Sequence, residues 1–399
     1  MANTISAYLA PYIVGEAIEA LNGTTALLAS TNHDFSTASA KKGASVTLGV
    51  AQTLVAGTVT PANTAPAPAA TSTGAKNIEL SNEYKTSFAL SGADDQNYDL
   101  ASVDVQQLRE AVVGMAYKVN ATLWAKYYQI PYAVGNSGTG FFASNANGLS
   151  DMDKVLTDNF CPLMDRKFIC GTKDYAALIN LTEVHYANNR GSNDASMYGT
   201  VGDVRGFMVQ RDQQVPTHTI GTITTGLITK ASTAVSAGTT SFIGTTAAST
   251  GAIALKQGDL IDIAHSSGTR TYSVQAAVTQ AAAATDTAAI TLDRGLEFAL
   301  IGSEAVTLST ATSTFDANSI LAIGGRMDGY SVVGRLPQTS VNGMQTQGDH
   351  FPIVDPVSGF PFLVSVYPQY KQVSIEVSAI WGVEVTQSRK LCRALTYSS

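Results

Sequence analysis

The feature that most narrows what this chain can fold into is a change of character that happens twice. From about Thr219 to Ser313 the sequence is dominated by Thr, Ala, Ser, Gly and β-branched residues. On both sides of it, helix-type and strand-type patterns are mixed. Within it, short apolar runs recur at turn-like spacing, over 223–228, 241–243, 260–263, 271–278, 289–292 and 305–308. Tyr272, Val274 and Ala276 alternate with polar neighbours, as do Ile290 and Leu292, which is the period of a strand with one buried face. Six such strands separated by turns predict a small β-barrel or sandwich with its own core. The order mixed, all-β, mixed makes 219–313 a module spliced into another domain.

The rest of the chain reads in order. Residues 1–42 form an arm. Leu9, Ile13, Ile18 and Leu21 give it the pattern of one or two helices, with Pro11 near a helix start and a stop at Ser30-Thr31-Asn32. Over 43–92, Val46, Leu48 and Val50 alternate, as do Ile78 and Leu80, then Phe88 and Leu90. Between them, Pro61, Pro66 and Pro68 lie in an Ala/Thr background that cannot bury a core. Two strands around that tip predict a long projecting hairpin; a linker between domains is the alternative. Within 93–149, a helix is predicted over 99–129, because Leu108, Val112, Met115, Val119 and Leu123 repeat at three- and four-residue steps. Asp99 and Asp104 suit its N-terminal dipole. At about 1.5 Å per residue it is a rod of roughly 45 Å. Trp124, Tyr127 and Tyr128 end it, and Pro131 stops it.

Residues 150–218 predict a compact mixed domain. A helix begins at Ser150-Asp151 and ends before Pro162, a strand covers 166–170, a helix 173–181, a polar loop 186–202 and a strand 206–209. The mixed character resumes over 314–345 with Ile320, Leu321 and Ile323. The stretch 346–399 is strand-rich over 362–366, 373–380, 383–385 and 391–395.

Bulk properties exclude several functions. At 399 residues the chain exceeds the roughly 250–300 at which a single core stops growing. Charged residues make up 14%, against about 25% in typical domains, which suits a surface buried against neighbours. Net charge is −7 and no basic run exceeds a pair such as Lys41-Lys42, so no basic run is available to grip phosphates. Cys161, Cys170 and Cys392 are odd in number and lack paired spacing, which argues against a disulfide framework and for a reducing cytosol. The N-terminus lacks the pattern of a signal peptide, and no apolar run reaches the ~18 residues of a membrane span. The glycosylation-type triplets at Asn22, Asn120 and Asn180 are then chance.

Residues able to carry chemistry do not assemble into a motif. Gly135-x-x-Gly138-x-Gly140 has the wrong order for a dinucleotide fingerprint. His33, His185, His218, His265 and His350 are far apart and show no zinc-type spacing. Cys161 and Cys170 sit on apolar stretches and read as packing residues; Asp151 and Asp153 read as helix N-terminal residues. No catalytic, cofactor-binding or metal-ligating residue is expected, and hence no cofactor and no enzyme.

The order arm, hairpin, long helix, mixed domain and C-terminal strands resembles the Hong Kong 97-type capsid fold of tailed-phage major capsid proteins, an α+β architecture. With the inserted module, the chain is similar to the coat proteins of short-tailed Salmonella phages and their cyanophage and pseudomonad relatives. The stretches that carry this are Lys256-Gln257-Gly258-Asp259-Leu260-Ile261-Asp262-Ile263-Ala264 followed by Tyr272-Ser273-Val274, then Asp355-Pro356-Val357-Ser358-Gly359-Phe360, Trp381-Gly382, and Gly202-Asp203-Val204-Arg205-Gly206-Phe207-Met208-Val209. The chain departs from some members at 265–270, where the candidate for a long charged loop is short.

The resemblance implies a peripheral domain over 93–149 with its spine helix, an axial domain in two parts (150–218 and 314–345), a six-stranded barrel over 219–313 that acts as folding nucleus or brace, and peripheral and axial strands over 346–399. It further implies a homo-oligomer of hexameric and pentameric capsomers, self-assembled in the bacterial host cytoplasm into an icosahedral virion head around double-stranded DNA. A scaffolding protein and a portal would act during assembly, because residues 1–40 lack a charged coiled-coil leader. A cement or decoration protein is an optional partner. The packaged DNA would be held without sequence-specific contact, as an acidic wall permits, and no membrane is involved. The other classes weighed are an extracellular β-rich adhesin or surface-layer protein, and a polysaccharide-acting enzyme with a β accessory domain.

Overall fold

The computed structural model describes residues 26–50, 74–91, 100–135, 140–186, 198–223, 227–229, 234–246, 253–280, 288–309, 318–341, 344–345, 348–354 and 359–397. The helix pattern of the arm, the Pro-rich tip and the stretch 355–358 lie outside the described residues. The chain divides into two compact units, one built mainly from 33–111 and 331–387, the other from 112–330 and 388–399.

The first unit is organised by one long strand. Gln372–Val385 runs for 14 residues, and its neighbours in the sheet are Asn82–Ser91, Pro361–Gln369 and Tyr330–Pro337. Asp349–Val354 and Asn32–Ala40 form the two ends. Segment 32–40, expected as the tail of an arm, is therefore a sheet strand. Tyr330–Pro337 belongs to this unit too, although the sequence predicts 314–345 as one piece of the mixed domain; its residues are almost all buried, so it offers no alternation to read. Asp349–Val354 carries Pro352 inside a strand, which a sheet tolerates at its edge.

The hairpin is shorter than the 43–92 expected. Ser45–Val50 pairs with Gly74–Glu79, in register from Ser45↔Glu79 to Val50↔Gly74. Gly43 N donates to Leu80 O and Leu80 N to Ala44 O, closing its base. The chain then changes partner, because Asn82–Ser91 pairs along Gln372–Val385. Alternation runs across 76–92 without a break, so the sequence hides the switch. Ile78 and Leu80 are buried with Val333 and Ile380, and Val46 and Leu48 pack against them. The hairpin base is thereby rooted in the unit's core.

The spine helix runs Leu100–Ala125 and tightens into a 3-10 turn, Lys126–Gln129. Val112, Met115, Ala116, Val119, Leu123 and Trp124 are buried along one stripe. In the second unit a mixed sheet runs in the order Ala133–Val134, Leu391–Tyr397, Asn318–Gly325, Lys167–Cys170, Phe207–Arg211, Asp203–Val204. Lys167–Cys170 and Phe207–Arg211 are parallel, with the helix Thr172–Ile179 in the connection between them. Helix Asn147–Asp158 buries Leu149, Met152 and Leu156 in a cluster with Phe168, Phe207 and Cys392. Gly325 has φ +125°, and a Cβ there would lie 2.1 Å from Lys390 O. Gly325→Ala should therefore destabilise the chain by about 3 kcal/mol, the upper end for overpacking a fixed backbone; urea unfolding against wild type measures it.

The spliced segment forms two sheets. Six strands lie in the order Arg270–Ser273, Leu260–Ile263, Ala305–Leu308, Leu227–Thr229, Ser241–Thr246, Ala288–Thr291. Its two end strands meet through the bridge Val274↔Leu292 and the bonds Gln275 N to Thr291 O and Asp293 N to Ser273 O. Phe242, Ile261, Ile263, Tyr272, Ile290 and Val306 fill the interior. A second sheet pairs Thr222–Ile223, Ile253–Leu255 and Val278–Gln280. Thus 223–228 and 271–278, each expected as one strand, are both divided between sheets.

Candidate functional site

Of the residues with reactive side chains, the three cysteines share one apolar core cluster. Cys161, Cys170 and Cys392 are free and buried. Burial raises the Cys170 thiol, with Asp174 adding to the effect, and pushes Cys392 up to about 12. Because the thiolate is the reactive form, Cys170 and Cys392 should resist iodoacetamide at pH 8 in the native chain and react rapidly in denaturant; mass spectrometry of the alkylated peptides reads this. Asp153 pairs with the buried Arg166. His265 stacks on Phe298, His350 meets Ser365 Oγ at 2.8 Å, and His33 stacks on Phe35. Gly135 and Gly140 flank 136–139, which lie outside the described residues. Among the described residues, no group of three or more His, Cys, Asp or Glu side chains is placed to hold a metal ion, and no helix is long and apolar enough to cross a membrane.

His218 marks a buried polar junction inside the second unit. The turn Gly258-Asp259, with Gly258 at φ +94°, turns the Asp259 carboxylate inward, 0% exposed. That carboxylate accepts from Lys256 N at 2.7 Å, Gly221 N at 3.1 Å and His218 Nε2 at 2.9 Å. A carboxylate only accepts, so Nε2 carries the proton. His218 Nδ1 then meets the Tyr127 hydroxyl at 2.8 Å. From the C-terminal strand, Arg393 donates to Gly258 O at 2.7 Å and Ser273 Oγ at 3.2 Å, with its guanidinium 5.8 Å from the Tyr127 ring centre. Ser273 Oγ in turn donates to Tyr128 O at 2.5 Å, and Gln275 Nε2 donates to the same oxygen at 3.0 Å. Burial lowers the Arg393 guanidinium to about 10.

Four segments remote in sequence are thus tied by hydrogen bonds, of which those of Asp259 and Arg393 are charge-assisted: the spine helix end, the strand Thr217–Thr219, the spliced module and the last strand. The Ser273 proton is committed to a backbone oxygen, so the group reads as a clamp and not as a nucleophile–base pair. Sequence reasoning finds the Gly-Asp turn but not its partners. The one available signal is an Asp following Gly beside an apolar strand, and it does not name what the carboxylate meets.

A second feature lies on the surface. Helix Asn147–Asp158 ends with Phe160 N donating to Thr157 O and Cys161 N to Leu156 O, a Schellman pair of bonds. Phe160 takes the left-handed position, φ +57°, that Gly ordinarily fills. Phe160, Leu163 and Met164 are 88%, 68% and 81% exposed. Beneath them Arg166, 2% exposed, donates to Cys161 O at 2.6 Å, Pro162 O at 3.0 Å and Thr157 Oγ1 at 3.2 Å.

No family model matches the chain, and no curated protein matches it. Among solved structures it is similar to the capsid of the cyanophage P-SCSP1u, at 12% identity over 92% of this chain and 87% of that one, with a TM-score of 0.46. It is similar to the mature capsid of bacteriophage PhiM1 at 8% identity, covering 93% and 87%, with a TM-score of 0.45. A virus-like particle from Pyrococcus furiosus matches at 9% identity over 97% and 99%, with a TM-score of 0.42. Likenesses of this size decide neither fold nor function, so the case for what the chain does rests on its own elements.

Proposed function

We propose that this chain is the coat subunit of a tailed-phage head, a non-enzymatic protein that assembles with copies of itself. The observation that supports this best is the combination of a 26-residue helix, a hairpin rooted in a unit's core, and a mixed sheet whose chain is interrupted by a β-module. Among the described residues, the ribbon of Ser45–Val50 and Gly74–Glu79 pairs with no further strand. Helices this long are stabilised by packing and not by propensity, and a rooted two-stranded ribbon offers unpaired edges to another chain.

In this reading the fold is of the Hong Kong 97 type and the module of 219–313 is a barrel that braces the axial domain. Hexamers and pentamers arise from heterologous contacts that close into rings. A scaffolding protein and a portal serve assembly, a cement protein is optional, and double-stranded DNA fills the head without base-specific contact. Net charge −7 with no basic run is compatible with a wall that encloses nucleic acid and does not grip it.

Negative-stain microscopy of the chain co-expressed with a phage scaffolding protein tests the reading. Closed shells of uniform diameter are expected. Flat lattices or fibres would favour a surface-layer protein, and isolated single particles at high concentration would defeat the proposal.

A further inference from the structure

We infer that the loop 159–165 is a self-contact: Phe160, Leu163 and Met164 form an apolar knob that inserts into a second copy of this chain. The inference rests on the coat-subunit reading for its occupant, and on the following geometry for its existence.

Position 160 carries two unfavourable features at once. It sits at the left-handed C-terminal position of a helix, where a side chain crowds the backbone and Gly is preferred. It also places an aromatic ring 88% in solvent. Neither helps this chain fold by itself, and Gly would remove both. A few residues on, Leu163 and Met164 repeat the exposure. The loop is not loose, since Arg166 holds two of its carbonyls from below and Asn159 Nδ2 bonds Val155 O at 2.7 Å. Three apolar side chains exposed within five residues of a loop tied down by hydrogen bonds, one of them on a backbone position disfavoured for its residue, are what a preorganised contact requires.

Size argues for a second copy over a separate partner. Three side chains present on the order of a few hundred Å², against the roughly 800 Å² per partner of a stable binary interface. A patch this small is useful where every subunit both offers the knob and receives one, so that the contact repeats around a ring. A partner that binds one subunit alone has no such repetition.

The test uses the full chain. Phe160→Gly removes the ring while fitting the backbone, so thermal stability should hold or rise, and the concentration needed for self-assembly should increase at least tenfold. In parallel, Met164→Cys is labelled with benzophenone maleimide; the native thiols are buried, so the label is site-specific. Irradiation should give a covalent product of two copies, located by peptide mapping. Sister crosslinks in rings that never become shells would keep this inference and defeat the coat-subunit reading. Normal shells from Phe160→Gly, without sister crosslinks, would overturn the inference and leave that reading standing. Crosslinks only to another protein, or no self-association at all, would also overturn it.

Discussion

Asp259→Ala should lower stability by about 3–5 kcal/mol, because each buried donor left without its acceptor costs about 1–3 kcal/mol. Three donors converge on this carboxylate: the two backbone amides of Gly221 and Lys256, and His218 Nε2. Removing it strands all three in a site with no water access, because His218 is 4% exposed and Asp259 0%. Asp259→Asn should cost less, since its oxygen still accepts one or two of those bonds. The measurement is urea unfolding followed by Trp124 emission in a Trp381→Phe background. Trp124 lies one turn before Tyr127, and the chain has only these two tryptophans. A shift below about 1 kcal/mol would show that the junction is not a clamp. Deleting 219–313 outright is a poorer experiment. It removes Gly258, Asp259 and Ser273 together and leaves Arg393 buried without its acceptors.

The second large effect is expected in the other unit. Trp381 is 0% exposed in the 14-residue strand, with Tyr84 at 5.4 Å and Phe360 at 6.2 Å between ring centres. Phe360 in turn packs on Phe35 and Phe362. The next residue is Gly382, where a Cβ would lie 2.4 Å from Glu79 O, so bulk and its absence are both fixed at this Trp-Gly pair. Trp381→Ala should cost about 3–5 kcal/mol, as for other buried aromatics. Hydrogen exchange should show the loss across 82–91 and 361–385, because Asn82–Ser91 and Pro361–Gln369 flank the strand that carries Trp381. Unchanged protection there would mean that this ring is not central to the sheet.

What is legible in the sequence follows a physical rule. Elements with one face buried and one wet announce themselves, as the helix through Met115 and Val119 and the strand Ala288–Thr291 do. Tyr330–Pro337 is buried on both faces and contains Gly334 and Pro337, so neither alternation nor composition marks it. The three-residue strands Ile253–Leu255 and Val278–Gln280 are too short to have a period. Partner choice is the least legible property: nothing in residues 76–92 tells that pairing moves from the hairpin to Gln372–Val385 at Ser81. The junction escapes for a related reason. Asp259 is 41 residues from His218, and Gly258 is 135 from Arg393, so local reading sees a turn, an isolated His and a terminal Arg. The knob escapes because Phe160 and Leu163 look like ordinary core residues until the backbone turns them outward.

The position of Leu391–Tyr397 beside Asn318–Gly325 also governs how the molecule is made. On the ribosome, the strands that lie on the far side of Asn318–Gly325 emerge well before the one that completes it. Until translation passes Arg393, the nascent chain carries a bare hydrogen-bonding edge and, beside it, a module whose Gly258 carbonyl still waits for its donor. Such an edge invites pairing with a neighbouring nascent chain on the same polysome. Closure of this sheet therefore waits for a strand made after all its other members.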